Sequence, residues 1–141
     1  MGLRRKGRVI AFQALYFWDV THPAASELLR FEWLEEGSAE DDETARTFAR
    51  LITSGAVENI EAVDAAIRKE LEHWDFSRLS WVDRAILRLG AYELLFQNDV
   101  PASVVIDEAI GIAKQFGADE SFRFINGVLD AVRRDRERSG A

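Results

Sequence analysis

Between Ser80 and Gln97 the apolar positions Trp81, Val82, Ala85, Ile86, Leu87, Leu89, Ala91, Tyr92, Leu94, Leu95 and Phe96 cover most of the circumference of a 3.6-residue helix. That pattern predicts a central helix packed on several sides. Ser80, with Asp83 three residues on, has the spacing of a capping box, and Asn98, Asp99 and Pro101 mark the end. Upstream, Val9, Ile10, Ala11, Phe12, Leu15, Tyr16 and Trp18 recur at helical spacing and predict an amphipathic first helix from Leu3 to about Asp19, closed by Thr21, His22 and Pro23. Leu28, Leu29, Phe31 and Leu34 predict a short helix over 25–36, with Gly37 placed to accept a left-handed C-terminal conformation. A helical pattern from Asp42 to about Leu71 carries Gly55 and Asn59, which predict two helices with a bend.

After an acidic connector at 38–43 and a link at 74–76 whose rings Trp74 and Phe76 should tuck onto the core, two further helices follow the central one. The first opens near Pro101 and stops at Gly117; the second runs from about Glu120 to Arg134 with Phe122, Ile125, Val128, Leu129 and Val132 inward, and leaves a frayed charged tail at 133–138. Period-2 alternation and hairpin dipeptides are lacking, so the expected class is all-α, a bundle of about six or seven helices in a single domain over 1–141.

Charge adds a polarity that the pattern alone lacks. The formal net charge is −7, yet Arg4, Arg5, Lys6 and Arg8 all fall in the first eight residues; taking those four positive charges from the total leaves −11 on the remainder. An acidic body with a basic tip suits local grip on an anion rather than coating of nucleic acid. Cations in a first turn also oppose the helix dipole, at about 0.3–1 kcal/mol each before screening, a cost that favours use in binding. A solvated tail is the alternative. Four cations on a single strand would give a salt slope of about −2.8, roughly a fifty-fold loss of affinity between 50 and 200 mM salt.

Other chemistry is scarce. The chain has no cysteine, and its two histidines, His22 and His73, sit in different links, so no metal site, cofactor site or nucleophile is expected. Asp107 and Glu108 are neighbours that face different directions on a helix, and Gly111, Gly117 and Gly127 are isolated, each suited to close packing or a helix end rather than to a phosphate loop. No apolar run approaches a bilayer span, and the basic start is not followed by a signal-peptide core, so a soluble, cytoplasmic protein is expected. Phe122 and Phe124, two apart on one helix, cannot both face the same seam, which makes either a candidate for base stacking. Tyr16, Trp81 and Asp83 are candidates for a partner-binding rim, against capping for Asp83 and core for the rings.

Arg-Arg-Lys-Gly-Arg at 4–8, Ala-Phe-Gln-Ala-Leu-Tyr at 11–16 and Asp-Arg-Ala-Ile-Leu-Arg-Leu-Gly-Ala-Tyr-Glu-Leu-Leu at 83–95 resemble the NusB family of transcription antitermination factors. Asp-Val-Pro at 99–101, Ile-Asp-Glu-Ala-Ile at 106–110, Ala-Lys-Gln-Phe-Gly at 113–117 and Phe-Ile-Asn-Gly-Val-Leu-Asp at 124–130 continue the resemblance in order. It implies two three-helix subdomains and a non-enzymatic role: binding single-stranded boxA RNA of ribosomal RNA transcripts with ribosomal protein NusE, within an RNA polymerase antitermination complex. By position it implies RNA contacts at Arg4, Arg5, Lys6, Arg8, Glu120 and Phe124, and NusE contacts at Tyr16 and Asp83. Lys6 stands where arginine is frequent, and Asp83 is shorter than the glutamate often found there. Two alternatives remain open: an accessory domain like those of ribosomal RNA methyltransferases, disfavoured by a chain stopping at Ala141, and a protein-binding homodimeric helical module.

Overall fold

The computed structural model describes residues 2–34, 42–73 and 75–140. Among them are seven α-helices, α1 (Leu3–Thr21), α2 (Ala25–Arg30), α3 (Glu43–Glu58), α4 (Ile60–Lys69), α5 (Trp81–Phe96), α6 (Ala102–Phe116) and α7 (Ser121–Arg138), with a 3₁₀ turn at Phe76–Arg78 before α5 and no strand. The all-α expectation holds. α1 pairs with α3, with α2 beside them, α6 and α7 pack on each other and on α5, and α4 lies mainly against α5.

Local chemistry sets most boundaries. His22 turns left-handed (φ 49°) and donates its N–H to Trp18 O, closing α1 just ahead of Pro23. Asp42 caps α3 by accepting from the backbone N–H groups of Thr44 and Ala45. The break between α3 and α4 falls at Asn59, whose side-chain amide donates to Gly55 O at 2.8 Å. One helix ends earlier than its pattern implies. α2 stops at Arg30 because Phe31 takes a left-handed conformation (φ 59°) that buries its ring, under the Arg50 guanidinium 5.3 Å away. Gly37, most of the acidic connector and Trp74 lie outside the described residues. The tail expected to fray is instead helical to Arg138. Lys69 donates to Asp135 at 2.9 Å, and Arg136 donates to Leu95 O at 2.6 Å, tying α7 to α4 and to the end of α5.

α5 is the axis of the molecule, touching α1, α3, α4, α6 and α7. Ten consecutive residues, Ala85 to Leu94, are buried, including the charged Arg88 and Glu93. Charge pairs at its two ends fix its relation to α1. Arg8 near the start of α1 clasps Glu93 near the end of α5, with Nε and Nη2 at 2.8–3.1 Å from the carboxylate. Asp19 near the end of α1 accepts from Arg84 at 2.7 Å and lies 3.2 Å from Arg88, which also forks onto Asp64 of α4 at 2.9 Å. The two helices therefore run antiparallel, with acid and base exchanged between their ends. A slip of one turn would strand buried charges without partners, at a cost of several kcal/mol, so these pairs specify register.

Candidate nucleic-acid interface

α1 begins with no side-chain cap and no acidic residue in its first turn, so its positive end carries three cations in succession. The four basic residues are not equivalent. Arg4 is exposed, with its guanidinium 5.4 Å from the centre of the Phe48 ring on α3. Lys6 is partly exposed and has no ion pair among the described residues. Arg5 lies against α6, where its Nε donates to the Glu108 carboxylate. Arg8 is 2% exposed and locked onto Glu93, so it does not face solvent and its role is to join α1 to α5. The basic tip thus presents Arg4, Arg5 and Lys6, with Arg8 behind them in the core.

The first turn of α5 separates two depressions. On one side Asp83, Glu120, Ser121, Phe124 and Arg78 line a pocket of about 430 Å³. Asp83 donates its backbone N–H to Ser80 Oγ at 3.0 Å, but the reciprocal half of the capping box is missing and Asp83 Oδ1 is buried without a hydrogen-bond partner. Burial pushes this carboxyl above the usual aspartate range, although the Ser121 and Ser80 hydroxyls pull the other way. Glu120 is exposed, paired with Arg123, and held left-handed (φ 70°), unusual for a residue with a side chain. Phe122 is partly buried between Lys114 and Arg123, which stand 4.9 and 5.3 Å from its ring centre.

On the other side Val82 faces an apolar groove of about 600 Å³ formed with Phe12, Gln13, Tyr16, Phe17, Val20 and Thr21 of α1, Trp33, Leu34 and Phe116. Tyr16 is 38% exposed here. Asp83 and Tyr16, grouped by the resemblance as one partner face, therefore line different depressions, and Asp83 shares its pocket with Glu120 and Phe124. Trp81 is 47% exposed beneath the Arg84 guanidinium at 4.8 Å, rather than in the core. Glu108, expected only as one of two neighbouring helix acids, is Arg5's partner, and Trp33, which no sequence pattern singles out, lines the groove; neither role is visible in the chain because the contacts that create it come from α1, a separate stretch of the sequence. A usable signal did exist: Arg5, Phe12 and Tyr16, at i, i+7 and i+11, share one stripe of α1.

Among the described residues no three His, Cys, Asp or Glu side chains gather to hold a metal ion, and no helix is long and apolar enough to cross a membrane. Fold and surface together define an all-helical protein that offers a basic helix end beside an apolar groove. The chain belongs to the NusB family, whose model matches residues 5–134. The transcription antitermination protein NusB of Treponema pallidum is 48% identical over 129 residues, covering 92% of this chain and 91% of that protein. T. maritima NusB superposes with a TM-score of 0.82 at 39% identity, covering 98% of this chain and 97% of its own. A NusB crystallised with the antitermination factor NusE and double-stranded RNA gives 0.79 at 28% identity, covering 94% and 97%.

Proposed function

We propose that this chain acts in transcription antitermination by binding single-stranded boxA RNA of ribosomal RNA transcripts together with NusE, as a non-enzymatic adaptor of the cytoplasmic RNA polymerase complex. The observation that carries the reading is the placement of Arg4, Arg5 and Lys6 at one end of α1 whose same face, about 16 Å further along, opens into the Tyr16 groove. The relative solved with NusE and RNA supports both kinds of partner. In this reading the basic end takes phosphates, the Phe124 pocket takes a base or sugar, and the Tyr16 groove takes apolar side chains of NusE. Glu120 and Asp83 border the RNA path, where their carboxylates limit indiscriminate binding of anions.

The pairing of the cations changes the expected salt dependence. With Arg8 in the core and Arg5 neutralised by Glu108, two unpaired cations remain at this end. They give a slope of about −1.4 for the chain alone, roughly a sevenfold loss of affinity between 50 and 200 mM salt instead of fifty-fold. Titration of labelled boxA RNA and a scrambled strand, each with and without NusE, tests the function. Tighter binding of boxA than of the scrambled strand in the presence of NusE is the expected result; equal binding of the two would rule the specific role out.

A further inference from the structure

Arg5 and Arg8 each hold a carboxylate, but in opposite settings. The Arg8–Glu93 side chains are 3% and 2% exposed, a closed structural pair. The Arg5–Glu108 side chains are 36% and 21% exposed, so solvent and solutes reach them. α6 is shaped to receive the guanidinium: at Gly111, one turn beyond Glu108, an added Cβ would stand 3.0 Å from Arg5 Nη1 and 3.2 Å from its Cζ. The glycine leaves the flat group room to rest against the helix while its Nε donates to Glu108. A carboxylate there occupies the Nε donor of the guanidinium, one of the donors that a phosphate oxygen would use.

We propose that Glu108 is an intramolecular competitor of RNA phosphate that holds Arg5 in reserve and thereby sets the affinity and selectivity of the basic end. The inference rests on the reading of that end as an RNA contact. While the pair is closed, Arg5 adds no net charge for a passing polyanion, and a phosphate that displaces Glu108 must also accept that carboxylate as a neighbour. Weak, unregistered strands are therefore held by Arg4 and Lys6 alone. A strand fixed in register by its other contacts presents a phosphate long enough to exchange with Glu108.

The test is an anisotropy titration of labelled single-stranded boxA RNA and a scrambled strand of equal length, from 50 to 200 mM KCl, with the full chain. Glu108→Gln should bind the scrambled strand several-fold more tightly than wild type. Its salt slope should steepen by about 0.7, so that its advantage shrinks about 2.6-fold across that range. Gly111→Ala, which crowds the guanidinium without changing charge, should shift affinity in the same direction. Adding Arg5→Gln to Glu108→Gln should abolish the gain. If Glu108→Gln and Gly111→Ala, both folded by circular dichroism, bind no more tightly than wild type, Glu108 is not a competitor. Arg4→Glu separates the two layers. If Arg4→Glu weakens binding while Glu108→Gln leaves it flat, only the competitor falls; if Arg4→Glu binds as wild type does, the RNA assignment of this end falls and the competitor with it.

Discussion

At the residue scale, the four cations near the start of α1 differ in what they pair with: Arg8 holds Glu93, Arg5 holds Glu108, and Arg4 and Lys6 hold no carboxylate among the described residues. Their clustering is visible in the chain, but their partners are not, because Glu93 and Glu108 lie 85 and 103 residues away. Pairing is a tertiary property, and it divides a uniform run into a structural arginine, a neutralised one and two open cations. Glu93→Ala should destabilise the protein by about 3–5 kcal/mol, since it leaves Arg8 buried without a counterion. Arg8→Met combined with Glu93→Leu should recover most of that loss in urea unfolding. The same double variant should retain RNA affinity; a large drop in affinity would restore Arg8 to the binding surface. Asp83 makes a second prediction through pH. Its carboxyl binds a proton more tightly folded than unfolded, so ionisation costs stability as pH rises through the raised value. Asp83→Asn, which keeps the Ser80 cap on the backbone N–H, should melt higher than wild type at pH 7. The two curves should converge as pH falls toward 4, and a constant offset across that range would refute burial as the cause.

At the element scale, helix type and order were legible because α1, α5, α6 and α7 are long and strongly patterned, whereas two ends were not. Periodicity alone cannot see that burying Phe31 stops α2, nor that contacts to Lys69 and Leu95 extend α7. Glycines give the sharpest test of packing against propensity. At Gly55 an added Cβ would fall 2.0 Å from the Tyr92 hydroxyl oxygen and 2.4 Å from Cζ of the same buried ring, so α3 and α5 approach there only because no side chain intervenes. Gly127, expected to serve packing or a helix end, instead sits exposed within α7 with nothing within 4 Å of an added Cβ. The same substitution should therefore act with opposite signs. Gly55→Ala should cost about 1–3 kcal/mol by overpacking despite its better helix propensity. Gly127→Ala should stabilise by about 0.5–1 kcal/mol. Chemical denaturation of the two single variants decides this, and stabilisation of both would mean that the α3–α5 contact yields easily.

At the scale of the whole molecule, α1 joins two surfaces of different chemistry through one rigid element. Its start carries the exposed charge, Arg8 and Asp19 towards its two ends clamp it to Glu93 and Arg84 of α5, and its second half walls the Tyr16 groove. A protein seated in that groove would lie within about 16 Å of the basic end, near enough to extend the RNA path without any change of fold. Coupling between ligands in such an arrangement is typically about 1–3 kcal/mol, a 5–150-fold gain, and it must be reciprocal. NusE should therefore tighten boxA RNA binding, and RNA should tighten NusE binding by the same factor. Tyr16→Asp, at an exposed position, should change melting little, because surface substitutions away from special features act within about 0.5 kcal/mol. It should reduce NusE affinity and the enhancement of RNA binding together, while the weak affinity of the chain alone for RNA persists with its shallow salt slope. Lys6→Glu should do the reverse, weakening RNA binding while leaving NusE titrations unchanged. Calorimetric titration of each variant with NusE, with RNA, and with each in the presence of the other closes the thermodynamic cycle. If Tyr16→Asp abolished RNA binding in the absence of NusE, the groove and the basic end would be one surface rather than two.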